Sequence, residues 1–218
     1  MKRNLLTLLL IAKVFYSFCA GITDSINLVP KHYYDVGPAI GFTPIISKQA
    51  FSFDCHLEYS PVKHFYTGAF IVVTGRQTAD SFGFTVKKPI VQFYEIGWIN
   101  QYNVVETNKF RAGLNITNAF AQARLGDSAI KERQHKNRPK EITSNYLYCP
   151  EAGCRMYYKL SHEKESTHVW ITADAGYRFA IGHFTFGNAG DFAGPHVNLG
   201  ISMIGFDDPK AQPATKTL

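Results

Sequence analysis

The amino-acid sequence predicts an all-β chain, an antiparallel up-and-down transmembrane β-barrel of eight strands. Three observations carry that prediction. Apolar residues alternate with small or polar ones through most of the chain, the period of a strand with two unlike faces. The links between these stretches alternate between short and long, as the turns and loops of a membrane barrel do. The polar face consists of Gly, Ala, Ser, Asn and Thr with isolated charges, where a soluble surface would be dense in Lys and Glu.

Residues 1–21 carry the features of a secretory signal. Lys2 and Arg3 are a basic start, Leu5 to Ala12 an apolar stretch, and Ser17 to Gly21 a mostly small-residue exit, with cleavage expected after Gly21. The apolar run is too short to span a membrane as a helix. Cys19 as a lipoprotein cysteine is the weaker reading, because Phe18 is bulky where that signal takes Gly or Ala. Removing the signal takes Lys2, Arg3 and Lys13 and no acid, so the formal charge of +6 falls to +3. The apparent basicity is therefore largely an export feature, and no nucleic-acid partner is expected. No later stretch is long and apolar enough for a transmembrane helix, so a membrane location requires a closed barrel.

Residues 22–206 form the predicted barrel and 207–218 a polar tail. In strand one, Tyr33 to Phe42, the apolar face is Tyr34, Val36, Pro38, Ile40 and Phe42. Strand two sets Phe51, Phe53, Cys55, Leu57 and Tyr59 against Ser52, Asp54, His56, Glu58 and Ser60. Strands three and four, His64 to Thr74 and Ile90 to Asn100, are apolar on both faces and fit less well. Strand five is Phe110 to Phe120. Strand six, Arg155 to Leu160, is required to make the strand number even and is the weakest of the eight. Strand seven is Val169 to Phe179, and Val197 to Met203 closes the series. Short turns are expected at 60–63, 103–108 and 161–167, and long external loops at 43–48, 75–88, 125–153 and 182–194.

Aromatic residues bracket the apolar faces, as at Tyr34 and Phe42, Phe51 and Tyr59, and Phe110 and Phe120. Strand segments of that length, at ~3.3 Å per residue and tilted by about 40°, span roughly 20–25 Å of membrane. With the apolar face in lipid, the isolated charges Asp54, Glu58, Arg111, Asp174 and Arg178 point into the lumen, joined by Arg155 and Lys159 from strand six. Their mixed signs suggest an ion-pair network that plugs the barrel, because lone charges in a narrow lumen are costly.

At this point the chain resembles the small outer-membrane β-barrel proteins of the porin and OmpA-like transmembrane-domain type. The resemblance rests on the opening strand YYDVGPAIGF, the fifth strand FRAGLNITNAF, and the closing pair ITADAGYRFAIG and HVNLGISMIGF. It implies a Gram-negative outer-membrane location, outer-membrane lipid and lipopolysaccharide as surroundings, and the barrel-insertion machinery as a partner during biogenesis. Phe206 resembles the terminal aromatic that this machinery reads. It departs from the pattern in preceding a polar tail and in having the opposite parity to Val197, Leu199 and Ile201, unless a bulge near Gly205 intervenes.

An oxidising compartment makes a local Cys149–Cys154 disulfide the expectation, with Cys55 a free thiol facing lipid. Those cysteines lack further ligands at zinc-like spacing, so no metal is expected. No cofactor is expected either. Ser52, Asp54, His56 and Glu58 share one strand face, but Ser52 and His56 are separated by about 13 Å, too far for a catalytic pair. No catalytic residue is assigned. The segment Lys131 to Lys140, with Arg133, Lys136 and Arg138, is a basic external loop that could meet lipopolysaccharide phosphates or stay solvated. The expected function is non-enzymatic: an integral outer-membrane barrel with a structural, surface-interaction or limited small-solute role. The alternatives are a lipid-modifying outer-membrane enzyme and a soluble exported barrel that binds an apolar ligand.

Overall fold

The computed structural model describes residues 33–131, 139–161 and 167–206. The predicted signal and the polar tail lie outside these residues. The strands are β1 (Tyr33–Ile45), β2 (Lys48–Val62), β3 (Phe65–Gln77), β4 (Pro89–Glu106), β5 (Phe110–Lys131), β6 (Pro139–Lys159), β7 (Thr167–Arg178), the short β8 (Ile181–His183) and β9 (Gly194–Phe206). Between β8 and β9 lies one helical turn, α1 (Ala189–Phe192). The hydrogen-bonded order β5-β4-β3-β2-β1-β9-β7-β6 closes through β5–β6, so eight antiparallel strands form a ring. β8 extends the wall beside β6, pairing Tyr148 with Ile181 where β7 has ended.

The period-two pattern sorts the side chains as the sequence implies, with the apolar set outside. Phe42 is 56% exposed, Leu114 62% and Phe120 72%, while Asp35, Glu58 and Ser202 are almost wholly buried. A soluble barrel has the reverse polarity. Close approach at the β1–β9 closure requires glycine: a Cβ on Gly41 would lie 2.1 Å from the Val197 carbonyl oxygen. The β1–β9 register continues without a shift to Tyr33↔Phe206, so the bulge considered near Gly205 is not formed.

Three sequence expectations are corrected. The link at 43–48 is a two-residue turn, Ile46–Ser47, with both φ angles positive, near 50° and 54°. The long loop expected at 125–153 is instead mostly strand: β5 runs on to Lys131 and β6 begins at Pro139. Beyond Phe120 the polarity inverts. Ala121, Ala123, Leu125 and Leu147 are buried inside, and Gln122 and Arg124 lie outside. This part of the wall has passed the apolar belt, so it alternates as a soluble barrel does. The third correction is the disulfide. Cys149 and Cys154 are free thiols on the same strand, with Cys149 buried and Cys154 half-buried. Five residues of extended strand separate them by about 16 Å and place them on opposite faces.

The inner apolar residues form two layers. At the mouth bounded by the β1–β2, β3–β4 and β7–β9 connections, Ile45, Phe70, Val91, Phe93, Phe186 and Phe192 pack into one cluster. Phe192, on α1, stacks on Phe93 and Phe184 at 6.1 and 6.0 Å between ring centres. At the other end Tyr66, Tyr157, Trp170 and Ile204 form a second cluster. These layers explain why β3 and β4 are apolar on both faces: their inward residues Phe70, Val72, Phe93 and Ile99 pack the upper plug.

Candidate functional site: the closed lumen

Between the two apolar layers lies a band of buried charge. β6 and β7 pair Arg155 with Asp174, and β7 and β9 pair Asp174 with Asn198, so the sheet register itself stacks the polar side chains inward. Arg155 donates from Nη1 to Glu58 and from Nε to Asp174 Oδ2 at 3.0 Å. Asp174 Oδ2 also accepts from Asn115 Nδ2 at 2.7 Å, and its Oδ1 lies 3.0 Å from His196 Nε2. The same imidazole nitrogen is 3.2 Å from Glu151 Oε1.

The five charges assigned to the lumen from sequence are all buried, but they do not form one cluster. Glu58 and Asp174 meet through Arg155. Asp54 stands nearby, its Oδ1 4.0 Å from His56 Nδ1. Arg178 stands where the charged band meets the upper plug: it donates to Glu95 at 3.1 Å and to the carbonyls of Phe192 and Pro44 at 3.0 and 2.6 Å, with its guanidinium over the Phe93 ring. Arg111 lies at the opposite end, 3.2 Å from Glu106, 3.0 Å from the Tyr66 hydroxyl and over the Trp170 ring. Lys159 is half-buried at the end of β6.

The sequence reading missed Asp35, Glu95, Glu106, Glu151 and His196. Asp35 and Glu95 carried the same period-two signal as Asp54. Glu106 and Glu151 fell in segments read as turn and loop, so their inward direction was not legible. Of the basic segment, Lys140 is exposed on β6, and Arg133, Lys136 and Arg138 lie outside the described residues, as does the side chain of Lys131.

A hydroxyl–imidazole–carboxylate grouping does occur, away from the expected Ser52. His56 Nε2 is 3.2 Å from Ser202 Oγ and 3.4 Å from Asp35 Oδ1. Both contacts fall on one ring nitrogen, and the carboxylate beside the other, that of Asp54, is 4.0 Å from Nδ1, beyond the hydrogen bond that a relay needs. Ser202 is also fully buried, so no substrate carbonyl reaches its Oγ. The grouping is lumenal packing.

An apolar belt in contact with the surroundings and charges sealed inside define a transmembrane β-barrel with a plugged lumen. No family model matches the sequence, and none of the curated proteins does. Among solved structures the chain is similar to Neisserial surface protein A, with a TM-score of 0.48 and 10% identity over 81% of this chain and 97% of that one. It is also similar to Ail, the attachment invasion locus protein of Yersinia pestis, solved with the heparin analogue sucrose octasulfate. There the TM-score is 0.45 and the identity 10%, over 81% of this chain and 99% of that one.

Proposed function

We propose that the chain is an integral outer-membrane protein without enzymatic activity, whose barrel anchors an external surface and passes no solute. The observation that carries this is the sealed lumen: charged residues paired across the barrel between an aromatic plug at each end. The outer wall supports lipid as its surroundings. A shallow concavity of about 670 Å³, lined by Ile71, Ile96, Phe120 and Tyr148, has the shape and polarity for acyl chains. The strands that run past the belt, β5 and β6, raise a paired hairpin above it and supply a rigid surface for contact with lipopolysaccharide phosphates or another macromolecule.

Fractionation and planar-bilayer recording test the proposal together. The protein is expected to sediment with outer membranes, to need detergent for extraction, and to give no steady conductance when reconstituted. A stable open channel would return the solute-transport role, and a detergent-free soluble protein would remove the membrane role.

A further inference from the structure

The central lumenal band holds more acid than base. Around one small cavity and its neighbours stand six carboxylates, those of Asp35, Asp54, Glu58, Glu95, Glu151 and Asp174. They face two guanidinium groups, of Arg155 and Arg178, and two imidazoles, of His56 and His196. Arg76 is level with Val91, four residues or about 13 Å along β4 from Glu95, and does not line that cavity, so it stands outside this band. The acids exceed the bases by two with both imidazoles charged, and by three with His196 neutral, as a metal-ligating imidazole is. Uncompensated buried charge is expensive, so this excess requires a cation or protons.

The geometry favours a cation at one place. Each arginine takes one oxygen of a carboxylate and leaves the other. Arg155 binds Asp174 Oδ2, and Asp174 Oδ1 faces His196; Arg178 binds Glu95 Oε2, and Glu95 Oε1 has no hydrogen-bond partner among the described residues. Asp54 Oδ1 is likewise without one. Glu95 is only 2% exposed and Asp54 7%, and both line the cavity that Glu151, Asp174 and His196 also line. Its volume, about 20 Å³, admits a single small ligand. Donor atoms of Glu151, Asp174 and His196 lie within 4.8 Å of one another, the imidazole nitrogen 3.0 and 3.2 Å from the two carboxylate oxygens. Nitrogen and oxygen ligands each ~2.0–2.2 Å from a metal are spaced by about 3–3.5 Å, so the observed separations, which a hydrogen-bonded imidazole also shows, match adjacent ligands on one ion.

We propose that Glu151, Asp174 and His196 bind a first-row divalent cation in the closed lumen, with Glu95 and Asp54 supplying the nearby negative charge. The ligands come from β6, β7 and β9, which antiparallel pairing sets side by side and a linear motif search cannot find. One imidazole with carboxylates suits Zn²⁺ or Mn²⁺. Since both mouths are plugged, the ion is captured as the barrel closes, and it ties three strands near the closing seam.

The test uses untagged full-length mature protein, unfolded in urea with chelator and refolded into detergent with or without Zn²⁺. After desalting, the wild type is expected to retain about one zinc per folded barrel and to unfold at a higher temperature than the metal-free sample. Zinc absorption spectroscopy should resolve one nitrogen among oxygen ligands at ~2.0–2.2 Å. Glu151→Gln and His196→Gln, checked for folding by heat-dependent gel mobility, are expected to weaken retention by roughly tenfold or more. Glu141→Gln, outside the lumen beside Arg124, should keep it. Wild-type protein that retains no zinc, zinc with no nitrogen ligand, or folded variants that bind as well as the wild type would each overturn the proposal, the first leaving protons as the compensating charge. Should neither variant fold, the wild-type stoichiometry and spectrum decide alone. A barrel that inserts in membranes yet retains no metal would leave the proposed function intact, and a soluble chain that binds zinc would do the opposite.

Discussion

Arg155 reaches Glu58 with one arm of its guanidinium and Asp174 with another, so its loss leaves two buried carboxylates without their cation. Arg155→Leu is expected to destabilise the barrel by ~3–5 kcal/mol in equilibrium urea unfolding from detergent micelles. Arg124→Leu removes a partly exposed pair with Glu141 on the outside of the hairpin and should cost only ~0–1 kcal/mol. Equal effects would mean that Arg155 does not sit in a dry interior. Asp127 poses a different test, because it lies beyond the apolar belt. Its carboxylate accepts from the backbone amides of Lys87, Lys88 and Ala129 at 3.0, 3.1 and 2.9 Å, and these bonds hold it below the ordinary aspartate range. A depressed folded value means the loop contacts are fully present above the unfolded pKa and are lost as pH falls through the folded one. The Lys87 and Lys88 amide resonances should therefore titrate with a midpoint below that of a free aspartate, and in Asp127→Asn they should not titrate. The inward direction of Asp54, Glu58, Arg111, Asp174 and Arg178 was legible because strand period alone sets it. Their partners were not: Glu58 and Arg155 are 97 residues apart, and only ring closure makes them neighbours.

Strands β1, β2, β7 and β9 were readable nearly to their ends because their two faces differ so sharply in polarity. β5 and β6 were readable only inside the belt. Above it the apolar side turns inward, and a rule tuned to lipid-facing residues reads the same alternation as loop. That error also produced the expected disulfide, since two cysteines five residues apart can meet in a loop and cannot meet in a strand. Mass spectrometry of non-reduced peptides should find Cys149 and Cys154 unlinked. A membrane-permeant maleimide should label half-exposed Cys55 and Cys154 in the folded barrel, and Cys149 only after unfolding. A Cys149–Cys154 linked peptide from folded protein would contradict the length of β6. The belt on β5 is tested by Leu114→Arg, which places a charge at an outward position and should cost ~2–4 kcal/mol near mid-membrane.

Along the barrel axis the interior passes from an aromatic plug through paired charge to a second, smaller aromatic cluster, while the exterior passes from an apolar belt to a polar hairpin wall. Every strand edge in the ring is paired, so the backbone is satisfied without water and the apolar belt is free to face lipid. The central claim is the direction of the two faces, and lipid-borne spin labels read it residue by residue. With a nitroxide on the acyl chains of a lipid nanodisc, methyl resonances of Leu114, Ile116, Leu199 and Ile201 should be strongly broadened. Those of Val72, Val91, Ile99 and Leu125 should stay sharp. The reverse pattern, or a protein that gives the same sharp spectrum in water without lipid, would contradict the account.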